Sequence, residues 1–343
     1  MNKENKPIIS TIIIALNEEK SLPRLLDDLA KQTYDHSLID VILVDSLSKD
    51  NTASIMNNFK LSSDFKRVLC LKNPNIIQAT GWNIALKHVI GDVIIRLDAH
   101  ASIPSDFFEK NILCLADGHD ICGGKVTNFI HKQTKWSSTV NTAENSMFGG
   151  SIAKFRHKSK AGIVDTLAFA CYKKTVFDKV GMFNENLLRT EDNEMHYRMR
   201  KAGYKFWYDP RIISCRETRA TFVKLLHQKY LNGFWIGYTL GICPQCISIY
   251  HLLPFTLILS IICSIVCFLF GFSQPLIILA ALYFLTNLIM TIIAVIVTAT
   301  RNLSFICLPI LFLLLHLGYG IGTILGINKI IIEKHLKRKK LLY

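Results

Sequence analysis

Apolar positions follow two short periods in the first third of the chain and then, after residue 249, run almost without interruption. Near the start, β-branched runs at Ile8–Leu16, Asp40–Val44, Val68–Leu71 and Val93–Leu97 have the length and continuity of strands buried on both faces. Between the first two, Leu22, Leu25, Leu26 and Leu29 recur at helical spacing, with Ser21 and Pro23 as start signals. A second helix is predicted from Asp50-Asn51-Thr52, and a third from Gly81 to His88, closed by Gly91. Strand alternating with helix is the pattern of a parallel α/β sheet, which binds ligands beyond the carboxyl ends of its strands. Polar residues gather at those ends: Asn17 and Glu18 after the first strand, Asp45 to Asp50 after the second, and Arg96-Leu97-Asp98-Ala99-His100 at the fourth. Asp45 and Asp50 also suit turns and helix caps, but three such clusters at strand ends point to a binding crevice.

Farther on, Gly123-Gly124 and the basic run Gly149 to Gly162 with Lys154, Arg156, Lys158 and Lys160 read as loop, either solvated or a lid or contact for anionic lipid. Val164 to Tyr172 reads as a strand. Arg189-Thr190-Glu191-Asp192-Asn193-Glu194 opens a helix from about Asn193 to Lys201, where carboxylates also complement the helix dipole. Phe222 to Gly241 is amphipathic and aromatic, as expected of a helix lying in a membrane interface. Three spans of membrane-crossing length follow, about Tyr250 to Phe272, Leu276 to Thr300 and Leu303 to Gly326. The expected division is a soluble α/β domain over 1–221, an interface region over 222–249, membrane helices over 250–328 and a basic tail over 329–343.

Charge sharpens this division. The formal net charge is +14, yet the stretch from Tyr230 to Asn328 carries only Arg301, whereas the tail holds six basic residues and Glu333. Basic residues beside a membrane span favour the cytoplasmic side. Three full crossings would put tail and soluble domain on opposite sides, so either one segment is re-entrant or Gly233 to Leu253 adds a fourth crossing. The 50% hydrophobic content excludes a disordered chain, and 19% charged residues exclude a wholly membranous one. The 10 cysteines are scattered, which suits a reduced, cytosol-facing protein; Cys243-Pro-Gln-Cys246 has redox or metal half-site spacing but no second pair. No secretory leader is expected, because the apolar run Ile8 to Leu16 is short and ends in Asn17-Glu18-Glu19.

The ordered series Asn17-Glu18, Asp45, Asp98-Ala99-His100 and Thr190-Glu191-Asp192 resembles the family 2 glycosyltransferases of GT-A fold. More narrowly, Arg96 to Ala101, Val164 to Tyr172 and Arg189 to Glu194 resemble the ExoA-type succinoglycan and exopolysaccharide glucosyltransferases. The resemblance implies a nucleotide-sugar-binding α/β domain followed by transmembrane helices. It implies that Ala15, Asn17, Glu18 and Asp45 hold the nucleoside. Asp98 and His100 occupy the place of the Asp-x-Asp motif, which sets Mg²⁺ or Mn²⁺ on the diphosphate; His100 replaces the second acid, so Asp98 is the safer ligand. Asp192 is implied as general base, with Glu191 positioning it or the acceptor. Processive relatives carry Gln-x-x-Arg-Trp; here Gln228 and Trp235 are spaced differently and no Arg precedes the Trp, which implies one sugar per encounter, with both residues near acceptor and membrane.

The expected function is therefore inverting transfer of a sugar, glucose in β linkage by the narrower resemblance, from a UDP-sugar to a polyprenyl-diphosphate-linked saccharide, in exopolysaccharide or capsule assembly. The expected location is the inner membrane, multi-pass, with the catalytic domain in the cytoplasm and no nucleic-acid partner. A polyprenyl-phosphate glycosyltransferase and a non-catalytic membrane scaffold or export component are the competing readings.

Overall fold

A computed structural model describes residues 6–129, 134–150, 159–217, 221–298 and 302–340, with residues 337–340 described as backbone only. It divides into two compact units, one of residues 1–129 and 153–217, the other of 130–152 and 218–343.

The first unit is built on a nine-stranded sheet. Strands β1 (Ile9–Ala15), β2 (Ile39–Asp45), β3 (Arg67–Lys72) and β4 (Val93–Asp98) fall within a residue or two of the expected runs. They lie parallel in the order β3-β2-β1-β4. Crossover helices α1 (Leu22–Ala30), α2 (Thr52–Ser62) and α3 (Gln78–Leu86) connect them. Leu22, Leu25, Leu26 and Leu29 form the buried stripe of α1, and every residue of β2 is buried, as a continuous apolar strand between helical layers requires.

Beyond β4 the sheet becomes mixed. Strand β5 (Ala101–Ser102) pairs with the far end of the sheet, helix α4 (Phe107–Ala116) follows, and β6 (Ile121–Phe129), β7 (Gly162–Val164), β8 (Cys171–Lys173) and β9 (Phe206–Glu217) complete it. The full order is β3-β2-β1-β4-β8-β6-β9-β5, with β7 beside β9. The apolar stretch Val164 to Tyr172 is not the single strand its composition suggests. It divides into β7 and β8 around a loop in which Phe169 adopts φ 50°. Side chains of a later helix serve that loop: Arg200 donates to the Asp165 carbonyl, and His196 bonds Thr166 Oγ1 at 2.7 Å. Helices α6 (Lys174–Val180) and α7 (Glu191–Lys201) close this unit, the latter beginning two residues earlier than expected.

The second unit is helical. Helix α5 (Lys135–Asn145), which the sequence pattern did not mark and which falls inside the expected 1–221 domain, belongs here. Its Val140 and Ala143 join an apolar cluster with Leu225, Ala294, Leu308, Leu311 and Phe312. Helices α8 (Phe222–Leu240), α9 (Leu253–Leu269), α10 (Gln274–Thr298) and α11 (Leu308–Lys340) make up the rest. Three described helices are long and apolar enough to cross a membrane: Ile249–Leu269, Gln274–Thr298 and Leu303–Leu336. The stretch from Gly233 to Leu253, weighed as a fourth crossing, is broken after Leu240 and continues as two 3-10 turns. Helix α11 runs past Gly326 into the basic tail without a break.

Helices α8 and α11 run side by side in the same direction. Gly233 and Gly237 face Tyr319 and Thr323, while Gly322 and Gly326 face Tyr230 and Phe234. A Cβ at Gly237 would collide with the Thr323 carbonyl, so the absent side chain is what lets the two backbones touch, as in small-xxx-small membrane packing. Most of the basic loop Gly149 to Gly162, Arg301 and the last residues of the tail lie outside the described residues.

Candidate active site

The register of the sheet decides which strand ends share a crevice. Ala15 at the end of β1 pairs with Asp45 of β2, and Ile14 pairs with Asp98 of β4. Asp45 and Asp98 therefore flank β1 at the same edge, two strand spacings or about 10 Å apart. The two loops that leave this edge are tied together by polar side chains. Asn17, held at φ 55°, accepts from the Lys49 N–H at 2.8 Å, and its own N–H donates to Ser48 Oγ at 2.9 Å. The Glu18 N–H donates to Thr52 Oγ1 at 2.8 Å, and the Ser48 N–H donates to Asp45 Oδ1 at 3.1 Å. Left-handed Asn17 and Leu47 (φ 60°) turn the chain sharply just past each strand, where short polar loops tolerate such geometry.

Beneath Asp45, buried Asn73 fixes the strand end. Its N–H donates to the Asp45 carbonyl at 2.8 Å, its Nδ2 donates to Ser46 Oγ at 3.1 Å, and its Oδ1 accepts from Thr80 Oγ1 at 2.8 Å. Asn73 drew no attention in the sequence because a lone Asn after a strand is ordinary turn chemistry.

At the end of β4, His100 Nδ1 lies 3.3 Å from Glu18 Oε1. Burial works against a charged imidazole here, but the bond to Glu18 together with the charges of Asp98 and Glu18 outweighs it and raises the His100 pKa above its ordinary value. Among the described residues no three His, Cys, Asp or Glu side chains converge as a metal cage. Asp98 is a hard oxygen donor, and one carboxylate completed by substrate phosphates and waters is the usual way Mg²⁺ is held. That donor set fits Mg²⁺ or Mn²⁺ carried in with a diphosphate.

The acids of Thr190-Glu191-Asp192 stand at the start of α7 and reach the same edge through Arg96. The Arg96 Nη1 donates to Asp192 Oδ1, and its Nη2 lies 3.8 Å from Glu191 Oε1. The Arg96 guanidinium also lies over the Trp82 ring at 4.8 Å, a cation–π contact on the rigid face of α3. Arg96 and Asp98 are alternate residues of β4 and so present to one face. Neither Arg96 nor Trp82 was assigned a role from sequence. The spacing Arg-x-Asp on a strand was the available signal, and it has meaning only once the partner of Arg96, nearly one hundred positions later, is known.

The two acids are electrostatically unlike. Glu191 is buried, its Oε2 has no hydrogen-bond partner, and burial with the neighbouring Asp192 charge raises its pKa far above the carboxylate range. Burial opposes the charge of Asp192 as well, but Arg96 outweighs it and lowers that pKa. The Asp192 side chain keeps 38% exposure, enough to meet a substrate. Behind it, His196, one turn along α7, is fully used: Nδ1 bonds Thr166 and Nε2 meets the Tyr172 hydroxyl at 3.0 Å. Burial lowers the His196 pKa to about 4, so it stays neutral. Gln228 and Trp235 lie on α8 of the second unit, where Trp235 packs edge-on against Phe234 and Tyr238.

An α/β sheet with acids gathered at the carboxyl edge of its parallel half, followed by a mixed extension, defines a glycosyltransferase of the GT-A class. The chain belongs to glycosyl transferase family 2, whose sequence model matches residues 10–181. It is 25% identical over 327 residues to the dolichyl N-acetyl-α-D-glucosaminyl phosphate 3-β-D-2,3-diacetamido-2,3-dideoxy-β-D-glucuronosyltransferase of Methanococcus voltae, covering 94% of this chain and 97% of that one. It is 29% identical over 229 residues to the succinoglycan biosynthesis protein ExoA of Rhizobium meliloti, covering 66% of this chain and 67% of the relative. An undecaprenyl-phosphate 4-deoxy-4-formamido-L-arabinose transferase of Proteus mirabilis is 24% identical over 231 residues, 65% of each chain. In fold, the chain resembles the mannosyltransferase PcManGT of Pyrobaculum calidifontis, solved with GDP-Man and Mn²⁺, at a TM-score of 0.62 and 15% identity, over 93% of this chain and 88% of that one.

Proposed function

We propose that the protein is an inverting, membrane-attached glycosyltransferase that moves a sugar from a UDP-sugar to a lipid-linked saccharide. The observation that carries this reading is the joining of Asp192 to the β4 edge through Arg96, two residues from Asp98. It brings a candidate base and a candidate diphosphate site to one edge of one sheet.

In this reading Asp45, with Ala15, Asn17 and Glu18, holds the nucleoside, and Asp98 meets the diphosphate with Mg²⁺ or Mn²⁺. The metal would neutralise charge growing on the leaving diphosphate. His100 supports the site by steadying Glu18, since its Nδ1 is already engaged there. Asp192 accepts the proton of the acceptor hydroxyl while that oxygen forms a bond to the anomeric carbon. The bond from that carbon to the diphosphate oxygen breaks on the opposite face, and its electron pair leaves with the diphosphate. A single displacement inverts the centre, so an α-linked donor yields a β-linked product. Glu191, kept neutral by its surroundings, positions Asp192 or the acceptor without adding a second negative charge.

A lipid-linked saccharide acceptor is supported by the Methanococcus relative, whose name describes transfer onto a dolichyl-phosphate-linked sugar and which matches nearly the full length of both chains. Glucose in exopolysaccharide assembly rests on the likeness to ExoA. The long apolar helices, with exposed Leu269, Ile277, Leu282, Phe284 and Ile296, suit attachment to the bilayer that holds such an acceptor. We place the catalytic unit in the cytoplasm at the inner membrane, where nucleotide sugars are made, and Gln228 and Trp235 toward the acceptor. The Proteus relative favours a second reading, transfer onto a bare polyprenyl phosphate. Membranes containing the protein, given radiolabelled nucleotide sugars and extracted lipid acceptors, separate the two: a lengthened glycan supports the first, a phosphodiester-linked monosaccharide the second.

A further inference from the structure

The chain as it stands presents a paradox of charge. The edge that must receive a doubly charged diphosphate carries Glu18, Asp45, Asp98 and Asp192, and the acid proposed as base is bonded to Arg96. A carboxylate held by a guanidinium is a poor proton acceptor, and a diphosphate arriving at so acidic an edge gains from a guanidinium freed to meet it.

The setting of Arg96 resolves both difficulties at once. Its side chain is 11% exposed, so it is drawn inward rather than spread in solvent. Its guanidinium lies over the Trp82 ring at 4.8 Å, and Trp82 is fixed in the core at 2% exposure. A planar cation on an aromatic face can slide in the ring plane without losing that contact. Along β4 the next residue on the same face is Asp98, so a diphosphate seated there would lie within reach of Arg96.

We propose that Arg96 is shared between base and donor: it holds Asp192 while the site lacks a donor and passes its hydrogen bonds to the donor's diphosphate on binding, so that Asp192 is released as base only when a donor is seated. This rests on the reading of Asp98 as the diphosphate site. Trp82 acts as the track for the guanidinium, and Glu191, 3.8 Å away, keeps a carboxyl beside the vacated position.

The test is UDP binding by calorimetry to the full-length protein in detergent with Mg²⁺, with uridine as the probe lacking phosphate. Asp192 and UDP compete for Arg96, so D192N is expected to bind UDP about tenfold more tightly than wild type, with uridine unchanged. Loss of a negative charge alone would also favour UDP, and R96M/D192N separates the two causes: on the R96M background the D192N gain should shrink to less than about twofold. R96M alone should weaken UDP and leave uridine unchanged. If R96M no longer binds uridine it has lost the fold, and R96Q replaces it in the cycle. No gain in D192N, or an equal gain with and without Arg96, overturns the inference while leaving the transferase reading intact. Failure of wild type to bind UDP overturns the UDP reading and this inference with it.

Discussion

Removing the Asp192 carboxylate should have two separable consequences. In D192A the Arg96 guanidinium, at 11% side-chain exposure, loses the partner it bonds through Nη1. Breaking a fully buried ion pair from one side costs about 3–5 kcal/mol, and the 38% exposure of the Asp192 side chain reduces that here. Arg96 retains the Trp82 face at 4.8 Å and Glu191 at 3.8 Å, which offset part of that loss. A net destabilisation of about 2–3 kcal/mol follows, or a fall in Tm of roughly 5–10 °C for a domain of this size. D192N keeps an oxygen acceptor for Arg96 in the same place, so its cost should be about 1 kcal/mol. Turnover should nonetheless fall in both, by about 10²–10⁴-fold, because neither side chain can take a proton. The assay is paired: thermal unfolding of detergent-solubilised protein, and transfer of label from a UDP-sugar to lipid acceptor. A D192A as stable as wild type would refute the electrostatic argument, and a D192N with full turnover would refute the assignment of the base.

Three further outcomes are expected. His196 is neutral when folded down to a pKa of about 4, against an ordinary value near 6.5, so between those values the unfolded chain binds more protons and stability falls as pH falls. The loss, about 3 kcal/mol when complete, should show as a Tm that declines from pH 6.5 to 5 in wild type and is flatter in H196Q. Replacing Gly237 by Val drives a side chain into the Thr323 carbonyl and should part α8 from α11, at a cost of about 1–3 kcal/mol, read as a lower Tm in detergent; an unchanged Tm would contradict the close helix packing. In D98N, UDP binding should lose most of its dependence on added Mg²⁺, whereas wild type should weaken sharply when a chelator is added; equal dependence in both would remove Asp98 from the diphosphate site.

Much of the first unit was legible because β1, β2 and most of β4 are buried on both faces and their apolar runs end abruptly in polar clusters. The ends of β1, β2 and β4 could be marked from Asn17, Asp45 and Asp98 for that reason. Burial alone does not distinguish a strand from an internal loop, which is why Val164 to Tyr172 misled: between its two short strands it is held by a distant helix, Arg200 bonding the Asp165 carbonyl and His196 the Thr166 hydroxyl. Helix α5 was placed in the wrong unit because sequence adjacency says nothing of the partners of Val140 and Ala143. Arg96 escaped notice for the same reason: its meaning lies in Asp192, and only the fold brings the two together.

The central claim is that acids from four separate parts of the chain serve one sugar-transfer reaction at a membrane. The most direct measurement is incorporation of label from UDP-[¹⁴C]glucose and other UDP-sugars into extracted lipid-linked saccharides by membranes bearing wild type, D98N or D192N, followed by analysis of the anomeric configuration. The account requires a lengthened lipid-linked glycan with a β linkage in wild type, abolished by chelator and by either substitution. Transfer with retention of configuration, or undiminished transfer by D192N, would contradict it.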